Sequence, residues 1–145
     1  MWSTSVPDPD SAVWWFRVAI GDLGAARALM NNETLPPRVA AAFSQQAAEK
    51  AMKAAIAFAG TDPPRTHNLA VLSAYAQRQG LVITEALDLE ALTDGLSAGR
   101  YPDADEPSMQ SSDTADLIAS SQVIVDTVRE YLEANGVALL GIEPL

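Results

Sequence analysis

Apolar positions recur at helical spacing along nearly the whole chain, and no stretch alternates as a strand would. After "PDPD", Phe16, Ile20, Leu23 and Met30 share one stripe of a helix over 11–30, with Asp10 or Ser11 as its cap. Trp14, Val18, Ala25 and Leu29 form a second stripe on the opposite side, which implies two packing partners. The turn "NNETLPP" ends that helix, and its prolines can open a second over 37–59. There Val39, Phe43, Ala47, Ala51, Ala54 and Phe58 line a core face about 120° wide. Gly60 and "TDPP" stop it. A third helix, at about 67–79, turns Leu69, Leu72 and Tyr75/Ala76 inward, with Thr66 or Asn68 as cap and Gly80 as terminator. "TEALDLEALTDGL" predicts a short fourth helix after "LVI", and the Gly, Pro, Ser and Asp-rich stretch 99–112 predicts a mobile loop. A fifth helix over 113–135, capped by Asp113, carries Leu117, Ile124, Val128 and Tyr131 on one line and Ile118, Val125 and Leu132 on another. Asn135-Gly136 closes it. The pattern predicts one all-α domain, an up-and-down bundle of four to five helices over about 11–135. The apolar tail 136–145 is left to dock on its own core or on a second subunit.

Composition sharpens this picture. The 145 residues suit a single core, and 26 alanines against nine aromatic residues favour helices that approach closely. Without cysteine there is neither a disulfide framework nor a thiolate zinc site. The start "MWSTSVPDPD" lacks a basic and an apolar region, and "AVWWF" and "GVALLGI" are far too short to span a bilayer, so a cytoplasmic protein away from membranes is expected.

The formal charge of −10 argues against nucleic acid as a partner, because phosphate backbones need a positive surface. Its distribution is uneven: residues 11–78 hold seven Lys/Arg against four acids, while residues 79–145 hold two against thirteen. That asymmetry is compatible with an anion site in the first half or with a solvated acidic face in the second.

Catalytic and metal chemistries narrow by elimination. His67 is the only histidine, and carboxylates alone show no characteristic ligand spacing, so no metal site is expected. Neither "GDLG" nor "GTDPPR" has the spacing of a phosphate loop, and no nucleophile-elbow pattern occurs.

Three stretches in order, "FSQQAAEKAMKAA", "RTHNL" and "RYPD", together with "AIGDLGAARALM", resemble the HEPN domain family over about residues 12–135. The resemblance implies a helical bundle, usually dimeric. Members include nucleotide-binding proteins, and RNA-cleaving toxins paired with nucleotidyltransferase antitoxins. The ribonuclease members share an arginine followed, after four to six intervening residues, by a histidine. At those distances before His67 stand Gly60, Thr61 and Asp62; Arg65 is too close, and Arg100 and Arg129 have no histidine after them. The expectation is therefore a non-catalytic, homodimeric binding module for a nucleotide or other phosphate-bearing ligand, or a partner subunit of a nucleotidyltransferase. It has no catalytic residues and no cofactor beyond such a ligand. The alternative is a ribonuclease toxin of the same family with an altered site.

The candidate binding residues are Gln46, Lys50, Lys53, Arg65, His67 and Arg100. Gln46, Lys50 and Lys53 lie within about 60° of one another at an edge of the core stripe. Two readings stand. The lysines snorkel at the bundle rim or pair with Glu49, or they face a groove shared with "RTHNL" and Arg100, where the N-terminus of the helix after His67 helps to hold a phosphate. His67 either fixes its loop by hydrogen bonding to backbone or touches ligand. Trp14 and Trp15 read as core or interface aromatics.

Overall fold

A computed structural model describes residues 8–100 and 109–145. They fold into a single all-helical bundle of α1 (Pro9–Met30), α2 (Pro37–Phe58), α3 (Leu69–Arg78), α4 (Leu89–Arg100) and α5 (Ser111–Ala134).

The helix boundaries follow from caps. Asp8, not Asp10 or Ser11, opens α1: its Oδ1 accepts from Ser11 N at 3.0 Å, and Pro9 fits the first helical position, where a missing N–H costs nothing. α3 takes Asn68 as its cap, as one of the two expected choices. The fourth helix starts later than its sequence suggested. Asp88 Oδ1 accepts from Ala91 N at 2.9 Å and so caps α4 at Leu89, leaving "TEALD" outside the helix. Asp113 is not the cap of α5 but its third residue. The chain enters at Gln110, and Asp113 Oδ2 reaches back to accept from Gln110 N at 3.0 Å. Most of the expected loop 99–112 lies outside the described residues. Gly60 and Gly80 end α2 and α3 at φ of +81° and +104°, a region open to glycine and strained for other residues.

α2 is the axis of the bundle and touches all four other helices. It can do so because it is built of small residues. Ala40, Ala41, Ala47, Ala48, Ala51, Ala54, Ala55 and Ala57 are all buried, and with Met52 and Ile56 they leave little of its circumference to solvent. On α1 the fully buried Ala12, Ala19 and Ala26 repeat every seventh residue beside Phe16 and Leu23. Short side chains let the two axes come close, where many weak dispersion contacts add up.

α1 runs antiparallel to α2, with Asp8 N donating to Phe58 O at 2.7 Å. α5 runs parallel to α2. Thr114 Oγ1 donates to Pro37 O and Ser121 Oγ to Ser44 O, both at a sequence offset of 77, and the Phe58 and Tyr131 rings meet edge-on at 6.1 Å. The segment between them makes the return. From the end of α2 the loop climbs back to the level of Gln45, whose Nε2 donates to His67 O at 2.9 Å; α3 descends to where Tyr131 Oη donates to Gln79 O. α4 then rises to the start of α2, where Gly95 faces Ala41 O. The tail docks on the chain's own core. Val137 and Leu139 are buried, Arg17 Nε donates to Glu143 O at 2.9 Å, and Leu145 N donates to Arg17 O.

Among the described residues the second α1 stripe has no complete partner: Trp14 is 50% exposed, and Val18, Ala25 and Leu29 are only partly covered. No described helix is long and apolar enough to cross a membrane.

Candidate functional site

Glu49 is the centre of the polar cluster, a carboxylate with no exposed surface in the middle of α2. Alone it would cost several kcal/mol to bury. Four donors remove that cost. Lys50 Nζ and Lys53 Nζ each lie 3.0 Å from Oε2, while His67 Nδ1 at 2.6 Å and Gln45 Nε2 at 3.2 Å meet Oε1.

Helix geometry explains two of these contacts directly. Gln45 and Lys53 stand one turn to either side of Glu49, on the same face. Lys50 is the next residue along, about 100° around the helix, and its long stem must fold back to reach. His67 arrives from the loop after α2. That loop is tied to the same turn by its backbone as well, since Gln45 also donates to His67 O at 2.9 Å. Gln46 Nε2 in turn donates to Gln45 Oε1 at 2.6 Å.

α1 supplies the lid over the cations. The Trp15 ring centroid lies 5.8 Å from Lys50 Nζ and 5.6 Å from Lys53 Nζ, so each ammonium sits between an aromatic face and a carboxylate. Their side chains are 19% and 10% exposed. Burial pushes the Glu49 carboxyl upward, but hydrogen bonds from His67, Lys50 and Lys53 outweigh it and hold the group down at about 2. Asp22, half-buried on α1, sits at the Lys50 edge of the cluster. Burial lifts its carboxyl above the usual range, with Lys50 opposing and Glu49 reinforcing the rise.

The structure thus brings Gln46, Lys50, Lys53 and His67 into one network. Both lysines pair with Glu49, as the first of the two readings allowed, and each keeps N–H groups beyond the one it gives to Oε2. Arg65 is exposed and makes no ion pair among the described residues, and the side chain of Arg100 lies outside them. The N-terminus of α3 differs from expectation. Its first amides are already taken, Leu69 N by Thr93 Oγ1 and Ala70 N and Val71 N by Asn68 Oδ1, so it offers no ready anion cradle. His67 does more than brace its loop: Nδ1 is held by Glu49, yet the side chain is 57% exposed.

Glu49 as hub, Gln45, Trp15 and Asp22 were not among the expected site residues. One signal for Glu49 was present, since it is the only acid between Glu33 and Asp62 and is followed by lysines one and four residues on. Trp15 and Asp22 gave none, because their meeting with α2 depends on how the two helices dock.

Among the described residues no group of His, Asp and Glu could hold a metal ion. Compared with known families, residues 12–131 match the HEPN domain model. Neither the curated proteins nor the solved structures give a match.

Proposed function

We propose, from the premise that this chain belongs to the HEPN domain family, that it is a non-catalytic binding module which holds the phosphate of a nucleotide or similar ligand at the Glu49 cluster. One observation carries this reading. Two lysine ammoniums are fixed side by side on a single buried carboxylate, which offsets one of their two charges and leaves spare N–H donors on each. Ordered cations of this kind bind anions with less loss of side-chain freedom than mobile surface lysines do. The half-exposed Trp14 on the partly covered α1 face supports a homodimer. A nucleotidyltransferase is a second partner compatible with the family, and a cytoplasmic location suits a nucleotide ligand.

Calorimetric titration with ATP tests the anion site. Removing the lysines alone would strand Glu49, so the comparison is wild type against a Glu49→Gln, Lys50→Met, Lys53→Met variant. Weak binding, at high micromolar to millimolar Kd, that the variant loses supports the site. Equal heats from both proteins remove it.

A ribonuclease with an altered site is the second reading, and the Glu49–His67 contact is what favours it, since a carboxylate behind a half-exposed imidazole is how many general bases are oriented. Cleavage of single-stranded RNA by the purified protein, abolished in His67→Ala, would establish that reading over the first. The non-catalytic reading expects the RNA to stay intact.

A further inference from the structure

The end of the tail lies along α1, clamped by one residue at two points. Arg17 Nε donates to Glu143 O at 2.9 Å, and Leu145 N donates to Arg17 O at 3.2 Å. One turn further on, Gly21 faces Pro144 and Leu145, so residues 142–145 form a strap on this flank of the helix. Its last side chain, Leu145, is 57% exposed. The strap falls outside residues 12–131, the part that matches the family, so nothing the family implies accounts for it.

Beside the strap runs the partly covered stripe of Trp14, Val18, Ala25 and Leu29, which spans about 60° of arc on α1. The spacing of this stripe is symmetric. Trp14 and Leu29 stand equally far on either side of the midpoint between Gly21 and Asp22, and so do Val18 and Ala25. When two such helices cross antiparallel on a two-fold axis at that midpoint, Trp14 falls on the partner's Leu29 and Val18 on the partner's Ala25. Each pair sets a larger side chain against a smaller one. None of the four is charged, and for a chain of net charge −10 an uncharged face is where two copies can approach without repulsion. Asp22 borders the stripe, with Lys50 beside it to oppose its charge. A two-fold axis keeps the same flank of both helices on one side, so the two straps adjoin and each covers the other's Leu145.

We infer that a second copy docks antiparallel on α1 about this axis, and that the paired straps form one edge of the interface. This rests on the homodimer of the reading above, names the surface that makes it, and is independent of the anion site.

The chain has no cysteine, so introduced thiols report contact without background. Val18→Cys and Ala25→Cys, each oxidised alone, should stay single chains, because a position away from the axis lies beyond the Cα reach of about 7 Å from its own copy. Mixed before oxidation, they should yield a linked species of twice the 15.4 kDa chain mass. Leu145→Asp keeps the backbone that Arg17 holds, and should weaken the dimer about tenfold in sedimentation equilibrium with an unchanged helical circular dichroism spectrum. A dimeric wild type whose mixed thiols do not link, or a Leu145→Asp dimer as tight as wild type, overturns the inference and leaves the homodimer standing. A wild type of single-chain mass removes both.

Discussion

His67 Nδ1, on a loop, lies 2.6 Å from Oε1 of Glu49, a carboxylate with no solvent-exposed surface in the central helix. This contact ties the loop that climbs along α2 to the most buried charge among the described residues, and the behaviour of that charge with pH can be measured.

Glu49 is held at about 2, below the ordinary 4.5. A group depressed in the folded state contributes stability that is fully present above its unfolded value and disappears as pH falls through its folded value. The contribution, on the order of 3 kcal/mol, is therefore lost between about pH 4.5 and pH 2. Denaturant unfolding at pH 7 and pH 3 should show a large drop for wild type and a smaller one for Glu49→Gln. Identical drops would mean that other carboxylates drive acid unfolding.

Lys53 is the more enclosed of the two lysines, and its ammonium has both Glu49 and the Trp15 ring as neighbours. Lys53→Met keeps most of the stem packing but removes a charged donor from a buried carboxylate, and should cost about 1–3 kcal/mol. Combined with Glu49→Gln the loss should shrink. A double-mutant cycle from urea melts reads the coupling directly, and strict additivity would contradict the pairing.

Gly95 lies at a close approach of α4 to α2. A Cβ there would stand 3.3 Å from Ala41 O and 3.4 Å from Leu117 Cδ1. Alanine gains up to about 1 kcal/mol of helix propensity, which offsets the squeeze, so Gly95→Ala should be nearly neutral. Gly95→Leu has no room beside a backbone oxygen and should lose about 1–3 kcal/mol. Thermal melts of the two variants separate the effects, and a stable Gly95→Leu would show that α4 can move away.

On α1, Trp14 is half exposed with its ring edge-on to Trp15 at 5.0 Å. If this face is the dimer surface, sedimentation at micromolar concentration should give a species of twice the 15.4 kDa chain mass, and Trp14→Glu should return it to the single chain. A wild-type species of single-chain mass excludes the dimer.

The sequence made the five helices legible because period and punctuation agreed: Pro37 begins α2, Gly60 follows its end, and Asn68 caps α3. Its errors came where two residues competed for one role. "PDPD" offers Asp8 and Asp10, and only Asp8 has Pro9 after it at the first helical position. In "TEALDLEALTDGL" the apolar spacing runs through Asp88, and nothing in periodicity says that this aspartate turns its side chain onto Ala91 N. The lysine pair was legible as a convergent edge of α2, and Glu49 as one partner it could take, but the complete burial of that carboxylate was not. Whether Glu49 faces solvent or the interior depends on Trp15 and on the loop carrying His67, and both arrive by tertiary docking.

A helix covered by neighbours on almost every side has consequences for exchange with solvent. Amides in an outer helix can swap hydrogen for deuterium by fraying while the rest of the molecule stays folded. Those of α2 between Ala47 and Ala57 have no such private route, because uncovering them requires α1, α4 and α5 to separate together. Their exchange rates report the opening of the whole molecule, so a ligand seated on Lys50 and Lys53 should slow deuterium uptake along this entire run and not only at the two residues it touches.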